Sequence, residues 1–228
     1  MPSKLWYLTN HKLLGGLPRQ EMDAVERMTQ MVTAPRYQQI YLPGDASDTI
    51  YLLKKGTVRL SRISESGKQM ILSILGPGDM FGELALMDGE RNEIAEAMEE
   101  TYLCLVPKGQ FEQLMMKNPT LALKVTKLMG LRLRQIQNRV EDIVFRDAAG
   151  RVAQLLLNLE REHGAPHLEG RVIGLKLSQQ DMADLTGLTR QTVSETLSDW
   201  KAAGWLGSEG RQVVLRDLPQ LQSLAQRS

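Results

Sequence analysis

The sequence predicts an α+β protein in which an antiparallel β-barrel or jelly roll is followed by a long helix and a winged helix-turn-helix. Three observations predict this order. Short apolar runs between turn residues fill 37–106, helical periodicity dominates 108–143, and two short helical segments with flanking alternating runs occupy 171–217. The predicted domains are 1–117 for the barrel, 118–145 for the long helix and hinge, and 146–228 for the winged helix-turn-helix.

The composition is that of an ordinary folded protein and excludes several classes of function. The chain has 228 residues, 42% of them hydrophobic and 24% charged, with a net charge of +1. Binding to DNA, RNA or anionic lipid must therefore depend on a local arrangement of charge. The single cysteine, Cys104, excludes an internal disulfide, a cysteine-rich zinc site and a four-cysteine iron–sulfur cluster. No signal sequence or membrane-spanning run is evident, which predicts a cytoplasmic protein without membrane contact.

The first region reads as six short strands separated by glycine and proline turns. The predicted strands are 37–42, 49–53, 57–63, 69–75, 93–97 and 102–106. The turns include LPGD at 42–45 and GPGD at 76–79, whose shared PGD triplet indicates a weak internal repeat. Because so many short strands must protect their edges, a small barrel or jelly roll is predicted.

The second region is a helix interrupted at Asn118-Pro119, where proline fits a first helical turn. After the break, apolar residues follow the 4, 3, 4, 3 spacing of a heptad seam: Met129, Leu133, Ile136, Val140 and Ile143. A second apolar set lies on another face: Leu121, Val125, Leu128 and Leu131. We expect the second set to cover the barrel and the seam to pair with its twin in a homodimer. The alternative is that both faces are buried within one subunit.

The third region contains two short helices around Gly187. Ser178 is predicted to cap the first helix, with Asp181 three residues later completing a variant capping box. Gly187 permits a tight turn, and Thr189 is predicted to cap the second helix. The alternating runs at 171–177 and 211–217 supply the strands of a wing, and the stretch 204–211 is expected to be the turn before the second run.

The second helix has one apolar and one polar face. The residues predicted to point inward are Val193, Leu197 and Trp200. The residues predicted to point outward near its N-terminal end are Arg190, Gln191, Ser194 and Glu195. Arginine can bond guanine, glutamine adenine and glutamate cytosine, and this end of a recognition helix enters the major groove. The alternative is a solvated face on which Arg190 and Glu195 pair with each other.

Other polar residues are candidates for positioning the protein on the DNA backbone. They are Ser178, Thr189, Thr192, Lys201 and Arg211. Such contacts carry no sequence information. From 146 to 228 the chain has ten Lys/Arg and ten Asp/Glu, so the domain is formally neutral. We therefore expect specific binding to depend on a dimer that doubles a modest set of contacts and to weaken with salt.

Four stretches in this order resemble the CRP/FNR superfamily of bacterial transcription regulators. They are GPGDMFGELALM at 76–87, QFEQLMMKNP at 110–119, FRDAAGRVAQLLLNL at 145–159 and LSQQDMADLTGLTRQTVSETL at 177–197. The resemblance implies a homodimer with a cyclic-nucleotide-binding-like barrel and a reader of palindromic DNA. It also implies that the loop 163–170 contacts RNA polymerase. Glu195 stands where many members have arginine, so the half-site should differ at one position while the guanine opposite Arg190 survives.

The resemblance also places a candidate effector pocket, which departs from the cyclic-AMP pattern. Gly82 and Glu83 match the pair that holds the ribose, and Arg91 matches the arginine that holds the phosphate. Asn92 replaces the expected serine or threonine. The helix positions that meet the base in cyclic-AMP binders are also changed, to Ile136 and Gln137.

The charge around Arg91 further disfavours an anionic ligand. The acidic residues of this stretch are Glu83, Asp88, Glu90, Glu93, Glu96, Glu99 and Glu100, and Arg91 is the sole base among residues 83–100. We therefore expect Arg91 to form an ion pair with Glu83 or Glu93 that closes the pocket. The effector is left unknown, with cyclic AMP as a disfavoured alternative and no metal or iron–sulfur cluster expected.

Haem is the other effector considered, with His11, Cys104 or a processed Pro2 as its axial ligand. His11 is expected at the surface and Cys104 inside an apolar strand, so haem is disfavoured. An enzyme of the cupin type is disfavoured because the three histidines lie outside the barrel and no catalytic motif occurs. A ligand-binding module without DNA contact would show the same barrel and helix, but it gives no reason for the polar helix face at 190–195.

Overall fold

The structure is a computed structural model that describes residues 3–87, 89–210 and 212–226. The chain forms two compact units, Met1–Leu131 and Arg132–Ser228, here called the N-terminal and the C-terminal unit. The division falls inside a long helix that contributes residues to both. Within the three described ranges, every helix is too short or too polar to cross a membrane.

In its described residues, the N-terminal unit combines eight strands with helices near both of its ends. Its elements are α1 (Lys4–Asn10), α2 (Arg19–Met28), β1 (Gln30–Ala34), β2 (Gln39–Tyr41), β3 (Thr49–Lys55), β4 (Val58–Ile63), β5 (Gln69–Leu75), β6 (Met80–Phe81), a 3₁₀ turn (Glu83–Leu86), β7 (Ile94–Ala97), β8 (Thr101–Pro107), α3 (Lys108–Lys117) and the start of α4 (Pro119–Phe145). The α+β class and the antiparallel strands predicted from the sequence are confirmed.

The strands form two four-stranded sheets rather than a closed barrel. Their orders are β1-β8-β3-β6 and β2-β7-β4-β5, and neighbouring strands are antiparallel. Successive side chains of a strand point to opposite faces. Accordingly Leu103 of β8 belongs to the core between the two sheets, whereas Cys104 belongs to the core that the first sheet shares with the helices. The jelly-roll form of the prediction therefore describes the fold better than a closed barrel.

The predicted strands recur with shifts at their ends. The largest shift is at the first one, because Tyr37 has a φ of 67° and lies in a turn, so that strand β2 begins only at Gln39. Helices α1 and α2 and strands β1 and β6 were not predicted from the sequence. The last of these is only two residues long, and it is recognisable as a strand through its pairing with β3.

The two PGD turns share one hydrogen-bonding pattern. In LPGD the carboxylate of Asp45 accepts from the backbone N–H of Leu42, and in GPGD that of Asp79 accepts from Gly76. The third residue of each turn is a glycine with a φ of 88°, a left-handed conformation that favours glycine. The weak repeat predicted from the sequence is thus a repeat of turn geometry.

Helix α4 begins at Pro119 as predicted, and its first turns face the core of the N-terminal unit. Leu121 and Val125 are buried there, and Leu128 is partly buried. Met129, predicted in the seam, also packs partly against this core, whereas Leu131, predicted on the covered face, is 57% exposed. Met129 therefore belongs to the covered face and Leu131 to the exposed part of α4, the reverse of what was predicted for these two residues.

In the part that the structure describes, the C-terminal unit holds the end of α4, four further helices and one sheet. Its further elements are α5 (Ala148–His163), β9 (Gly164–His167), β10 (Gly170–Ile173), α6 (Gln179–Thr186), α7 (Arg190–Ala202), β11 (Leu206–Glu209), β12 (Gln212–Leu215) and α8 (Leu218–Ala225). The sheet order is β11-β12-β10-β9. Its core is formed by buried apolar residues of the helices and strands, among them Val152, Leu156, Met182, Val193, Leu197, Trp200, Leu206, Val214 and Leu221.

Two loop predictions in this unit are wrong. The stretch 163–170 contains strand β9, which pairs with β10 in a hairpin, and the stretch 204–211 contains strand β11, which pairs with β12. Conversely, β10 ends at Ile173, so residues 174–177 of the predicted run are not strand. Strands β9 and β11 are short and lie next to glycines, so their local sequence is typical of a loop. They are recognisable as strands through their pairing with β10 and β12, which the local sequence does not specify.

Candidate nucleic-acid interface

The ends of α6 and the start of α7 are fixed by the predicted capping residues. The Ser178 hydroxyl accepts from the Asp181 N–H at 3.0 Å, and the Asp181 carboxylate accepts from the Ser178 N–H at 2.9 Å. Gly187 ends α6 with a φ of 70°, and the Thr189 hydroxyl accepts from the Thr192 N–H at 3.1 Å. Both helices of the hairpin therefore begin at defined residues, which fixes the orientation of α7 within the unit.

Helix α7 has a fully buried apolar side and an exposed polar side, as predicted. The buried residues are Val193, Leu197 and Trp200. On the polar side, Arg190, Gln191 and Glu195 are exposed and Ser194 is half-buried. Burial of the apolar side holds the helix on its own unit, so the polar side is available for an external partner.

The polar side chains of α7 line an open depression of about 530 Å³. Its lining residues are Gln179, Arg190, Gln191, Ser194 and Glu195. Gln179 was not predicted as a functional residue. The signal was present in the sequence, because Gln179 directly follows the N-cap Ser178 and so projects from the first turn of α6.

Glu195 is held by Gln191 and not by Arg190. The Gln191 Nε2 donates to the Glu195 Oε1 at 2.9 Å, one helical turn away. Among the described residues, the side chain of Arg190 makes no hydrogen bond and no ion pair. The alternative in which Arg190 and Glu195 neutralise each other is therefore not what the structure shows, and the arginine is free to meet a partner.

The remaining predicted contacts are only partly brought together. The hydroxyl of Ser178 is used in its cap, and the hydroxyls of Thr189 and Thr192 lie 2.8 Å apart. Lys201 is exposed near the C-terminal end of α7, about 16 Å along the helix axis from Arg190. Arg211 lies outside the described residues.

The candidate effector residues of the N-terminal unit centre on Arg91, which is 5% exposed. Its two terminal nitrogens donate to the backbone carbonyls of Gly82 at 3.1 Å and Thr49 at 2.5 Å. Its guanidinium carbon lies 4.3 Å from the ring centre of Tyr41 and 5.6 Å from that of Tyr51. Carbonyl oxygens therefore stand where the sequence predicted a carboxylate of Glu83 or Glu93.

An aromatic cluster fills the space next to Arg91. Tyr51 stacks on Phe81 with ring centres 4.9 Å apart, and the Tyr41 hydroxyl donates to Glu93 at 2.7 Å. Burial raises the pKa of Tyr41, and the neighbouring Glu93 carboxylate raises it further. Gly82, with a φ of 74°, has no room for a side chain, because a Cβ would meet a terminal nitrogen of Arg91 at 2.7 Å. This cluster is part of the core.

The acidic stretch is less negative than its sequence indicates. Glu96 forms an ion pair of 2.8 Å with Arg59, which lies opposite it on strand β4. The charge count over residues 83–100 did not include Arg59, because this arginine lies 37 residues before Glu96 along the chain. Asn92 and Glu90 are exposed, and Asp88 lies outside the described residues. Ile136 and Gln137 belong to the C-terminal unit, where both are exposed.

Two of the three residues proposed as haem ligands, His11 and Cys104, are buried. Cys104 is fully buried, as predicted, and burial raises the pKa of its thiol. His11 is only 2% exposed, so the expectation of a surface histidine is wrong. Burial lowers the pKa of His11 to about 4, and its Nδ1 accepts from the Leu13 N–H. Pro2 lies outside the described residues, and within those ranges no cluster of three metal-ligating side chains occurs.

Comparison with known proteins matches both units. A family model described as a cyclic nucleotide-binding domain matches residues 31–118, and a Crp-like helix-turn-helix domain matches residues 150–224. The CRP-like cAMP-activated global transcriptional regulator of Mycobacterium tuberculosis is 30% identical over 207 residues, which is 90% of this chain and 92% of that protein. The global nitrogen regulator of Nostoc sp. is 35% identical over 186 residues, 80% of this chain and 83% of that protein.

Solved structures match over nearly the whole chain. A CooA mutant from Carboxydothermus hydrogenoformans gives a TM-score of 0.81 at 27% identity and covers 96% of this chain and 97% of that one. The fold and the site thus define a regulator that joins a cyclic-nucleotide-binding-type domain to a helix-turn-helix. The chain belongs to the CRP/FNR superfamily, and it is a DNA-binding transcription regulator rather than an enzyme.

The family implies a cyclic nucleotide in the N-terminal unit, but two of the N–H groups of the matching arginine, Arg91, are bonded to the protein itself. Each terminal nitrogen of Arg91 donates one hydrogen bond to a backbone carbonyl, its guanidinium lies against the ring of Tyr41, and its buried Nε has no hydrogen-bond partner among the described residues. A cyclic phosphate that took these same two N–H groups would leave the two carbonyls without their donor. The family match therefore identifies the domain without identifying a ligand for it.

Proposed function

We propose that this regulator acts as a homodimer that binds a palindromic DNA operator, with α7 of each copy in a major groove. One observation carries the proposal: α7 is capped and buried along one side, while its opposite side exposes Arg190, Gln191 and Glu195 around an open depression. These side chains offer donors and acceptors that match base edges, and a recognition helix reads DNA with its N-terminal residues.

The proposed roles follow from side-chain chemistry and position. Arg190 is the proposed reader of guanine, since its guanidinium has no partner among the described residues and can bond O6 and N7 together. Gln191, Ser194 and Glu195 set the rest of the half-site. The proposed phosphate contacts are Ser178, Thr189, Thr192, Lys201 and Arg211.

A second copy of the chain is the proposed partner of the exposed apolar residues of α4. Leu133, Ile136, Val140 and Ile143 follow heptad spacing, and each is more than half exposed in the single chain. Such a stripe of large apolar side chains is typical of a helix that pairs with another helix. A dimer would also present two copies of α7, as a palindrome requires.

The N-terminal unit is proposed as the regulatory input, and cyclic AMP is not its proposed effector because of the arrangement of Arg91. The tip of the β9–β10 hairpin, where Leu168 is fully exposed, is the proposed surface for RNA polymerase. This surface extends from the unit that would lie on the DNA, which supports a contact with a neighbouring protein there.

The experiment that tests the proposal is selection of binding sites from a random DNA pool by the purified full-length protein, with and without cyclic AMP. We expect a palindrome to be enriched in both arms. Enrichment that requires cyclic AMP would mean that the N-terminal unit binds this nucleotide. The alternative of a ligand-binding module without DNA contact predicts no enriched sequence in either arm.

A further inference from the structure

We infer that Gln191 and Glu195 act as one reading unit that selects a C·G base pair, with Gln191 positioning the Glu195 carboxylate. The inference rests on the proposed function and assigns its sequence preference. The two side chains lie one helical turn apart on the exposed side of α7, and the Gln191 amide donates to the Glu195 carboxylate at 2.9 Å. Both line the depression that also contains Arg190.

The hydrogen bond fixes what the pair can offer to a base. One oxygen of the exposed Glu195 carboxylate accepts from Gln191, and the other oxygen has no hydrogen-bond partner among the described residues. Gln191 keeps one amide proton as a donor. The pair therefore presents a negative acceptor next to a donor. The edge that complements it has an amino group beside a carbonyl oxygen, as cytosine N4 and guanine O6 provide in the major groove.

An A·T pair fits the same unit less well. Adenine N6 lies between two acceptors, N7 of adenine and O4 of thymine, whereas cytosine N4 has an acceptor on one side only. A carboxylate that approaches N6 is therefore repelled from both sides. Guanine and thymine edges offer it no amino group in the major groove. The charge of Glu195 thus excludes wrong bases by repulsion as well as selecting the right one by a hydrogen bond.

Gln191 has a positioning role because an exposed glutamate would otherwise occupy several rotamers. Its amide is the described partner of the Glu195 carboxylate, since Arg190 makes no ion pair with it among the described residues. Loss of the Gln191 amide should therefore weaken discrimination at the base pair that Glu195 reads. Arg190 should act at a different base pair, because it projects from the previous residue and is not connected to the pair.

The test measures base preference with variants of the full-length protein. The operator selected by the wild type is altered to each of the other base pairs at every half-site position, and the affinities are measured by fluorescence anisotropy. Glu195→Gln keeps the shape and removes the charge. Because glutamine bonds adenine N6 and N7, this variant should shift the preference at one position from C·G to A·T, a change of about 10-fold.

Two further variants separate reading from positioning. Gln191→Ala should relax discrimination at the same position as Glu195→Gln without a switch to A·T. Because both substitutions remove one shared interaction, the double variant should lose less discrimination than the sum of the two single losses. Arg190→Ala is the matched control and should relax a different position. Circular dichroism should show all variants folded, because the three side chains are exposed.

The outcomes distinguish this inference from the proposed function. If the wild type enriches a palindrome but Glu195→Gln leaves every preference unchanged, the reading unit is overturned and the regulator is not. An A·T pair at the position that responds to Glu195, or a Gln191→Ala effect at another position, also overturns it. If the wild type enriches no sequence, the proposed function fails and this inference fails with it.

Discussion

Arg91 of the N-terminal unit and Arg190 of the C-terminal unit differ in what surrounds them. Arg91 is buried, with its terminal nitrogens bonded to two backbone carbonyls and its plane against Tyr41. Arg190 is exposed at the start of α7, and its side chain makes no hydrogen bond to any residue that the structure describes. The resemblance assigned a ligand to both arginines. A residue that matches a family motif therefore predicts binding better when its side chain is exposed than when it is already bonded within the fold.

The largest expected effect comes from removing the second copy of Arg190 by breaking the dimer. Ile136→Glu places a charge in the exposed apolar stripe of α4, and burial of that charge against a second helix is unfavourable. We expect a monomer by sedimentation and a loss of operator affinity of about 1,000-fold, toward the level of non-specific binding. Gln135→Glu, one residue away and outside the stripe, is the control and should remain dimeric. A dimeric Ile136→Glu variant would contradict the proposed partner face.

Removal of Arg91 should destabilise the N-terminal unit. Arg91→Ala leaves the carbonyls of Gly82 and Thr49 buried without their donor, and we expect a loss of about 3 kcal/mol in the free energy of unfolding. The matched control is Arg36→Ala, because Arg36 also lies over a tyrosine ring, at 4.5 Å from that of Tyr37, but is exposed. It should cost less than about 1 kcal/mol. Hydrogen exchange of the amides in β3 and β8 would measure the loss of stability in both variants. Equal losses for Arg91→Ala and Arg36→Ala would contradict the structural role of Arg91.

Removal of Arg190 should instead leave stability unchanged and weaken specific binding. Arg190→Ala is expected to cost about 2 kcal/mol on the operator and little on random DNA, because a lost base contact affects one sequence only. Lys201→Ala is the comparison: as a phosphate contact it should weaken binding to both DNAs alike and reduce the salt dependence. Equal losses for Arg190→Ala on both DNAs, measured by fluorescence anisotropy, would show that Arg190 does not read a base.

His11 should make the N-terminal unit sensitive to mild acid. Burial lowers its pKa from 6.5 to about 4, so the unfolded chain binds the proton more tightly than the folded chain. The stability that neutral His11 contributes is therefore complete above pH 6.5 and is lost as the pH falls toward 4. Between pH 7 and pH 5 this amounts to about 2 kcal/mol.

The measurement compares hydrogen exchange at pH 7 and pH 5 after correction for the intrinsic exchange rate. The loss of protection in the N-terminal unit should be smaller in His11→Asn than in the wild type. His163→Asn, a substitution in the C-terminal unit, is the control and should retain the wild-type loss. An unchanged pH dependence in His11→Asn would assign the acid sensitivity to carboxylates instead.

The recognition hairpin could be predicted from the sequence because its determinants are local. The Ser178 cap, the Gly187 turn and the apolar spacing of Val193 and Leu197 all act within one or two helical turns. Helix α8 was missed although local signals were present, since the Asp217 side chain caps it and Pro219 lies in its first turn. In these cases the sequence contained enough information.

The surroundings of Arg91 could not be predicted in the same way because its partners are distant along the chain. Thr49 lies 42 residues before it, and the Arg59–Glu96 pair that offsets the acidic stretch joins residues 37 apart. Such contacts depend on strand order and register, which turn signals and alternation do not specify. Arg91 was predicted to donate to a carboxylate of Glu83 or Glu93, whereas it donates to the backbone carbonyls of Gly82 and Thr49.

The smallest expected effect is the response of the N-terminal unit to cyclic AMP. If Arg91 stays bonded to its carbonyls, 1 mM cyclic AMP should leave the melting temperature of the full-length protein unchanged. A ligand that bound with a dissociation constant of about 10 µM would instead stabilise the unit by about 3 kcal/mol and raise that temperature by about 5 °C or more. The linear nucleotide 5′-AMP is the control for non-specific effects of an anion. A rise with cyclic AMP alone would mean that the cluster of Arg91, Tyr41 and Tyr51 opens to admit a ligand, and the two arginines would then differ in accessibility rather than in function.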